Sequence, residues 1–292
     1  MIVVPGPASQ ELGRKIAELL RAKAVSVGFK TFPDGESHIR LEGDVEGEDV
    51  AIVQTTSPPQ DTHLVQLFLM ADAARDLGAK EVVAVVPYFA YARQDKRFLS
   101  GEAFSVKTMM TLLGACGISK IITVNSHSPQ ILKSFRMPVE DLSAISLIAD
   151  YFKNKGYGGA FSLSLGKKAL DMATQANNVL KGGYDYVATE RDRVTGEVKI
   201  VDKSLHVENR EVIIFDDIIS SGGTMAKAVK AVKDQGAQKV YAACVHPLLA
   251  EGAEEKIVKN GAEGIVGTDC ISSPVSLVSV APLIAQALSK GI

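Results

Sequence analysis

The stretch from Glu211 to Met225 reads EVIIFDDIISSGGTM, and it decides the fold more directly than any other part of the chain. Its apolar run, Val212–Phe215, predicts a short strand buried on both faces of a parallel sheet. Asp216 and Asp217 stand where that strand is expected to end, and the small residues Ser220–Thr224 then lead into a helical pattern. A strand, a polar turn and a helix N-terminus make an anion site, because glycine lets the backbone approach closely and the first-turn amides point outward.

The composition of this turn also indicates which anion it binds. It lacks the lysine of GxxxxGK[ST], so it is not a nucleotide P-loop. Paired carboxylates beside a phosphate cradle favour a sugar phosphate, in which the turn holds the phosphate and the acids hold ribose hydroxyls or a metal ion. The plain alternative is a glycine-rich turn with two solvated aspartates, which is common in α/β proteins.

Strand and helix patterns alternate through both halves of the chain, which predicts an α/β fold with two doubly wound parallel-sheet domains. We expect an N-terminal domain over 1–142, a C-terminal domain over 143–280, and a last helix, 281–292, that packs back on the N-terminal domain. Ser9 is predicted to cap the first helix. In such sheets ligands bind beyond the carboxyl ends of the strands, where the polar turns of both halves lie.

Composition limits the functional class. The chain of 292 residues is 46% hydrophobic and 23% charged, as expected of a soluble globular protein, and its net charge of −2 argues against a dedicated nucleic-acid binder. Its 3 cysteines are widely separated, which suits a reducing compartment. The N-terminus has no basic, apolar leader pattern, and no apolar stretch is long enough to cross a membrane. We therefore expect a cytoplasmic protein without a membrane segment.

Three stretches of the first half have the chemistry of a binding site. Phe32–Glu36 reads FPDGE and offers a ring and two acceptors to a purine, although this stretch taken alone favours an ordinary surface turn. Tyr91–Arg97 reads YARQDKR and places three cations around an amide and a carboxylate, an arrangement suited to phosphate oxygens unless it is a solvated charge run. His127 follows a further predicted strand, KIITVNSH.

FDDIISSGGT resembles the phosphoribosyl-diphosphate-binding motif of the type I phosphoribosyltransferase fold. FPDGE, PYFAYARQDKR, His127 and FDDIISSGGT together occur in the order and near the spacing of the ribose-phosphate pyrophosphokinases, and this resemblance covers nearly the whole chain. It implies two phosphoribosyltransferase-like domains and a Mg²⁺-dependent transfer of a diphosphoryl group from ATP to the 1-hydroxyl of ribose 5-phosphate, with release of AMP. It further implies that the N-terminal domain takes ATP, the C-terminal domain takes ribose 5-phosphate, and the chain is a homo-oligomer with the ATP site near a subunit interface.

The resemblance also assigns roles to individual positions. The ATP-binding residues it implies are Phe32, Asp34, Glu36, Arg93, Gln94 and Asp95. The residues it implies for ribose 5-phosphate are Asp216, Asp217, Ser220, Ser221, Gly222, Gly223 and Thr224. His127 would lie beside the magnesium and the triphosphate, as a catalytic and metal-binding residue, and Arg191 would be catalytic.

The chain departs from the family pattern at positions that bear on catalysis. Gly166 stands where the family has a loop aspartate, Thr189 where it has a catalytic lysine, and Asn125 where an acid is common, while Arg191 is retained. Neighbouring cations that would compensate are Arg191, Arg193, Lys167 and Lys168. The alternative to an active enzyme is therefore a catalytically weakened paralogue that acts as a nucleotide-binding regulatory subunit. A phosphoribosyltransferase that consumes the diphosphate is a third hypothesis, against which FPDGE, YARQDKR and the chain length argue.

Overall fold

The computed structural model describes residues 1–97, 99–132, 134–191, 198–201, 203–250 and 252–290. Contacts divide the chain into two compact units, Met1–Leu142 with Ser279–Ile292, and Ser143–Val278. Each unit is built on a six-stranded sheet whose neighbouring strands all run parallel. The predicted α/β class with two parallel-sheet domains is therefore confirmed.

The first unit contains eight strands among its described residues, six of them in the main sheet. The strands are β1 (Ile2–Pro5), β2 (Lys23–Ala24), β3 (Val27–Thr31), β4 (Ser37–Leu41), β5 (Asp49–Val53), β6 (Glu81–Val86), β7 (Lys120–Val124) and β8 (Val139–Leu142). The helices are α1 (Gln10–Leu20), α2 (Gln60–Asp76), α3 (Ser105–Ala115) and α4 (Pro129–Leu132). The sheet order is β2-β1-β5-β6-β7-β8, and β3 and β4 form a separate antiparallel hairpin. The order reverses between β1 and β5, which places crossover helices on both faces.

The second unit repeats this plan. Its strands are β9 (Phe161–Leu165), β10 (Tyr184–Val187), β11 (Thr189–Arg191), β12 (Val198–Ile200), β13 (Glu211–Ile219), β14 (Lys239–Pro247), β15 (Gly264–Thr268) and β16 (Ser276–Val278). The helices are α5 (Ile145–Phe152), α6 (Leu170–Leu180), α7 (Gly223–Asp234) and α8 (Ala253–Lys259), and α9 (Ala281–Lys290) returns to the first unit, where it packs on α1. The sheet order is β10-β9-β13-β14-β15-β16, with β11 and β12 as an antiparallel ribbon.

Two local expectations need correction. Ser9 lies at the N-cap position of α1 but makes no capping hydrogen bond. Its Oγ instead accepts a hydrogen bond of 2.8 Å from the buried backbone N–H of Thr55, which would otherwise lack an acceptor. The strand predicted to end at the paired acids continues through them to Ile219, because β14 pairs with it as far as Pro247.

No helix in the described part of the chain is both long enough and apolar enough to span a membrane.

Candidate active site

The centre of the candidate site is the carboxyl end of β13. Val212–Phe215 are completely buried, which anchors the strand in the core of the second unit. Asp216 and Asp217 follow and are partly buried. Because successive strand side chains point to opposite faces, the two carboxylates leave the strand on opposite sides. Asp216 Oδ1 accepts from the N–H of Asp217 (3.0 Å), and Asp217 Oδ1 accepts from the N–H of Ile218 (2.9 Å), so the backbone orients both groups.

The turn after β13 has the conformation that its glycines predict. Gly222 has φ of 71° and stands at the N-cap of α7, which begins at Gly223. The first-turn N–H groups of a helix have no acceptor within the helix, so α7 presents amides to this turn. Lys256 of α8 donates a 2.7 Å hydrogen bond from Nζ to the backbone oxygen of Ser221 and thereby fixes the turn from the neighbouring helix.

Gly222 also allows a close approach between two helices. A Cβ atom at this position would lie 2.9 Å from Cβ of Ala253 and 3.0 Å from its Cα and backbone oxygen. Ala253 is completely buried and is the first residue of α8. Glycine is therefore required here both by the left-handed backbone and by the available space.

The two departures from the family pattern meet in space. Gly166 follows β9, the strand next to β13, and its φ of 81° and ψ of 155° lie in a region that is essentially restricted to glycine. A Cβ atom on Gly166 would lie 3.0 Å from Oγ1 of Thr189. Gly166 and Thr189, which the resemblance predicted to replace an acid and a lysine, are therefore neighbours in the structure.

Other residues of interest in this region have fewer described contacts. Lys167 and Lys168 are exposed in the short turn that follows Gly166. Arg191 ends β11 and pairs through its backbone with Val198 of β12. The side chain of Arg191, and Arg193 altogether, lie outside the described part of the chain.

In the first unit, the FPDGE stretch forms the tip of the β3–β4 hairpin. The N–H of Phe32 donates to the oxygen of Glu36 (2.8 Å), and Gly35, with φ of 96°, donates to the oxygen of Phe32 (2.8 Å). The Phe32 ring is 38% exposed and lies 4.7 Å from Nζ of Lys30. Asp34 Oδ1 accepts a long bond of 3.3 Å from the N–H of Glu36. The tip therefore presents an aromatic ring and two carboxylates to solvent.

Hydrogen bonds to neighbouring elements hold the YARQDKR segment. The Tyr91 hydroxyl donates a short hydrogen bond to Asp61 near the start of α2, and Tyr91 itself has a left-handed φ of 65°. Ser105 at the start of α3 donates to Oε1 of Gln94 (3.0 Å). Ser128 donates to Oδ2 of Asp95 (2.7 Å). Since Ser128 is adjacent to His127, the structure brings the segment and the end of β7 together.

A buried polar network supports the start of this segment. Thr56 Oγ1 accepts from the N–H of Ala90 (2.8 Å) and donates to the oxygen of Tyr88 (2.8 Å). Thr55 Oγ1 accepts from the N–H of Tyr88 (3.3 Å). Both threonines are almost fully buried, so the backbone that leads to Tyr91 is defined by the core rather than by solvent.

The hydrogen bonds of the two first-unit motifs run to different partners. The hydrogen bonds at the hairpin tip stay within the hairpin, and those of Gln94 and Asp95 run to Ser105 and Ser128. Arg93 is exposed and, among the described residues, makes no ion pair. Its guanidinium is therefore available to an anionic ligand.

Sequence reasoning missed three supporting residues: Asp61, Ser128 and Lys256. Each contacts a motif residue across a long sequence separation of 30, 33 and 35 positions respectively. A carboxylate on one helix and a lysine on another carry no local signal of these contacts, since ordinary surface residues have the same pattern. Ser128 directly follows the KIITVNSH stretch, but only the fold pairs it with Asp95.

Two pKa shifts accompany this geometry. The hydrogen bond to Asp61 raises the pKa of the Tyr91 phenol, which stays protonated as a donor at neutral pH. Burial raises the pKa of the Cys244 thiol, and the nearby Asp216 carboxylate on the paired strand raises it further. Cys244 is therefore a neutral neighbour of the acids rather than a nucleophile.

Comparison with known proteins connects this geometry to a family. The N-terminal domain of ribose phosphate pyrophosphokinase matches residues 1–117, and the phosphoribosyl transferase domain matches residues 142–277. The ribose-phosphate pyrophosphokinase of Saccharolobus solfataricus is 39% identical over 273 residues, which cover 93% of this chain and 94% of that protein. The chain belongs to the ribose-phosphate pyrophosphokinase family. The resemblance stated from its motifs is thereby confirmed.

Further relatives of this pyrophosphokinase-family chain agree. The ribose-phosphate pyrophosphokinase of Methanothermobacter thermautotrophicus is 41% identical over 288 residues, covering 98% of this chain and 99% of that protein. The crystal structure of phosphoribosylpyrophosphate synthetase from Mycobacterium smegmatis matches with a TM-score of 0.86 at 26% identity, covering 99% of this chain and 97% of that chain. The pyrophosphokinase fold thus extends over the whole chain.

Proposed function

We propose that this chain transfers the diphosphoryl group of ATP to the 1-hydroxyl of ribose 5-phosphate, forming phosphoribosyl diphosphate and AMP. The observation that carries the proposal is the turn from β13 to α7, in which two backbone-oriented carboxylates precede a glycine N-cap and a helix that presents its amides. This turn lies in a chain similar, along nearly its whole length, to enzymes named for that activity.

The second unit supplies the residues that bind ribose 5-phosphate. Asp216 and Asp217 accept hydrogen bonds from ribose hydroxyls, since an ionised carboxylate is an acceptor only. The 5-phosphate binds to the α7 amides and to the hydroxyls of the turn. The residues assigned to it are Ser220, Ser221, Gly222, Gly223 and Thr224.

The first unit supplies the residues that bind ATP. Arg93 offers a planar, exposed guanidinium to phosphate oxygens, and Gln94 is held in place by Ser105. Asp95 orders the same segment through Ser128. At the hairpin tip, the exposed ring of Phe32 stacks on adenine while Asp34 and Glu36 accept its exocyclic amine. We place this adenine site near a subunit interface of a homo-oligomer.

The described residues can hold Mg²⁺ when phosphates of the substrate and water supply its other ligands. Among the described residues, no group of three His, Cys, Asp or Glu side chains is arranged to hold a metal. Mg²⁺ commonly keeps several waters and binds through one or two carboxylates together with substrate phosphates, so such a cluster is not required. Asp95 and His127 are the residues we place beside it. When bound, the ion neutralises charge on the transferred phosphoryl groups.

Catalysis in this proposal is mainly positioning. The 1-hydroxyl oxygen attacks the β-phosphorus in line with the departing AMP oxygen, and the protein holds both substrates and stabilises the developing charge. Arg191 is the cation we assign to that charge, with His127 beside the triphosphate. One such contact contributes about 2–4 kcal/mol to lowering the barrier. Because Gly166 and Thr189 stand in place of an acid and a lysine, Arg191 supplies a larger share of the stabilisation of the developing charge in this proposal.

The alternative, a catalytically weakened regulatory paralogue, is not favoured by the relatives described above, each of which is named as the enzyme itself. The test is an assay of AMP release by the purified chain with Mg²⁺, ATP and ribose 5-phosphate, omitting each substrate in turn. AMP formation that requires both substrates supports the proposal. ATP binding without AMP release would support the regulatory alternative.

A matched pair of variants tests the site assignment in the same assay. Asp217→Asn should raise the KM for ribose 5-phosphate at least tenfold and leave ATP affinity nearly unchanged, because a charge-assisted hydrogen bond contributes about 1.5–3 kcal/mol. Asp234→Asn is the control, since this exposed carboxylate at the far end of α7 pairs only with Lys230 among the described residues. Equal losses for both substrates in Asp217→Asn would contradict the assignment.

A further inference from the structure

A cavity lies within the second unit, away from the acids of β13. It has a volume of about 330 Å³ and is lined by aromatic rings of the α5 segment and of β14, together with the first residues of β15 and Leu277 of β16. Tyr241 is the third residue of β14, whereas Cys244, opposite Asp216, is the sixth. Three residues of strand correspond to about 10 Å, so the cavity opens toward the amino end of the sheet. Its volume is within the range of small-ligand pockets, about 300–1,000 Å³.

The walls of the cavity are aromatic. The ring centre of Phe152 lies 5.4 Å from that of Tyr241 and 6.0 Å from that of Tyr157, and the two tyrosine rings are 4.9 Å apart. All three pairs meet edge to face, so each ring turns part of its π surface away from the others. Tyr151 extends the cluster by an edge contact with Phe152. A planar aromatic ligand is the best complement to such walls.

The two tyrosine hydroxyls at this cavity can donate a hydrogen bond to a ligand. The hydroxyls of Tyr157 and Tyr241 are 2.6 Å apart, and since only one proton is shared between them, the other remains available to a ligand. Burial raises the pKa of Tyr241, followed by its bond to Tyr157, which keeps that donor protonated.

Of the two nearby lysines, one already has a counterion. Lys239 lies 5.6 Å from the Tyr157 ring and forms an ion pair of 3.1 Å with Glu211. Lys155 is exposed at the edge of the cavity, 5.7 Å from the Tyr151 ring, and makes no ion pair among the residues that the structure describes. The cavity therefore combines an available phenol donor with an ammonium that has no carboxylate partner.

We propose that this cavity binds a small planar aromatic anion, of one or two fused rings bearing a carboxylate, with the ring against the tyrosines and the anionic group at Lys155. The site is separate from the one that takes ribose 5-phosphate and does not depend on the proposed reaction. Its ligand would therefore bind without competing with either substrate.

The experiment is a fluorescence titration with 2-naphthoate. The chain contains no tryptophan, so its own emission does not obscure the probe. We expect saturable binding of one probe per chain. Naphthalene-2-carboxamide, which keeps the rings and loses the charge, and cyclohexanecarboxylate, which keeps the charge and loses the aromatic surface, should each compete about tenfold more weakly, since the first lacks the charge that faces Lys155 and the second lacks the surface that packs on the tyrosine rings.

Variants localise the binding. Lys155→Gln should weaken 2-naphthoate binding about tenfold, a change of about 1.4 kcal/mol. Lys153→Gln, which alters an exposed lysine two positions away that does not line the cavity, should leave it unchanged. Asp217→Asn should also bind the probe normally, which separates this site from the proposed active site. Tyr241→Phe should weaken binding severalfold; if it fails to fold, the Lys155 variant, at an exposed position, still provides the test.

Three results would overturn the proposal. The first is equal affinity of Lys155→Gln and Lys153→Gln. The second is competition by the carboxamide as strong as that of 2-naphthoate. The third is probe binding that occurs only at dilutions where light scattering shows that an oligomer of the chain has dissociated. This result would mean that a second copy covers the cavity in the oligomer.

Discussion

Gly222 provides the sharpest test of how the turn from β13 to α7, the proposed phosphate turn, is built. In Gly222→Ala, a left-handed φ of 71° must be adopted by a residue with a Cβ, at a cost of about 1–2 kcal/mol. The new Cβ also meets the Cβ of Ala253 at 2.9 Å and its backbone oxygen at 3.0 Å. Ala253 is fully buried and cannot move without α8, so overpacking adds about 1–3 kcal/mol. The expected loss of unfolding free energy is the sum, about 2–5 kcal/mol.

Gly223→Ala is the matched control one position later. Its φ is not in the left-handed region, and a Cβ there would have Ser221 Oγ, at 4.0 Å, as its nearest neighbour. Alanine is also the better helix former by about 0.5–1 kcal/mol, so the stability should be unchanged or slightly raised. The measurement is urea unfolding of both variants, combined with the KM for each substrate.

The two variants should differ by at least about 2 kcal/mol in stability. If the turn relaxes by shifting instead of unfolding, Gly222→Ala should raise the KM for ribose 5-phosphate about tenfold or more while leaving that for ATP nearly unchanged. Equal stability of the two variants, with the KM of Gly222→Ala for ribose 5-phosphate at the wild-type value, would refute the argument that close packing on α8 shapes the turn.

Three further perturbations follow from contacts described above. Tyr91→Phe should raise the KM for ATP about two- to tenfold, because it removes one side-chain hydrogen bond that holds the Arg93 segment. The bond to Asp61 raises the pKa of Tyr91, so the stability that this bond contributes is present below about pH 10 and is lost as the pH rises through the raised pKa. The difference in unfolding free energy between wild type and Tyr91→Phe should therefore shrink at that high pH. Lys256→Met should raise the KM for ribose 5-phosphate severalfold with little effect on ATP, as measured by initial rates. Gly166→Asp should destabilise the chain by about 1–3 kcal/mol in thermal unfolding and fail to increase kcat, because its backbone region excludes side chains and Thr189 Oγ1 lies in the way.

Each of these has a control within the chain. Asp61→Asn keeps an acceptor for Tyr91 and should lie between wild type and Asp61→Ala in its KM for ATP. Lys259→Met changes an exposed lysine on the same helix as Lys256 and should leave the kinetics alone. Thr189→Ala should recover part of the stability lost in Gly166→Asp. A Gly166→Asp variant that is as stable as the wild type and has a higher kcat would contradict the argument that the backbone and Thr189 exclude a side chain at position 166.

The parts of the fold that sequence could predict are those set by local rules. Val212–Phe215 form a buried strand because four successive apolar residues cannot be satisfied at a surface, and α7 begins at Gly223 because small residues end the strand pattern and helical spacing follows it. The alternation of such units in both halves predicted two parallel sheets, since parallel strands need crossover helices.

Local rules were weaker at the boundaries. Asp216 and Asp217 were expected to follow the strand, yet pairing with β14 extends β13 through them to Ile219 and places their side chains on opposite faces. Ser9 has the residue type of a helix cap, but a buried N–H of Thr55 takes its oxygen. In both cases a partner that is remote in the sequence won over the local preference.

The sequence by itself thus determined the fold class and the family, and it predicted the residues of the binding motifs, because hydrophobic period, turn chemistry and motif order are all written along the chain. Only the tertiary structure decided how those motifs are held: Tyr91 by Asp61, the phosphate turn by Lys256 and Ala253, and Gly166 against Thr189. The physical reason is that these partners lie more than twenty residues apart, and contacts over that separation exist only once the packing of helices on the sheets has brought them within reach.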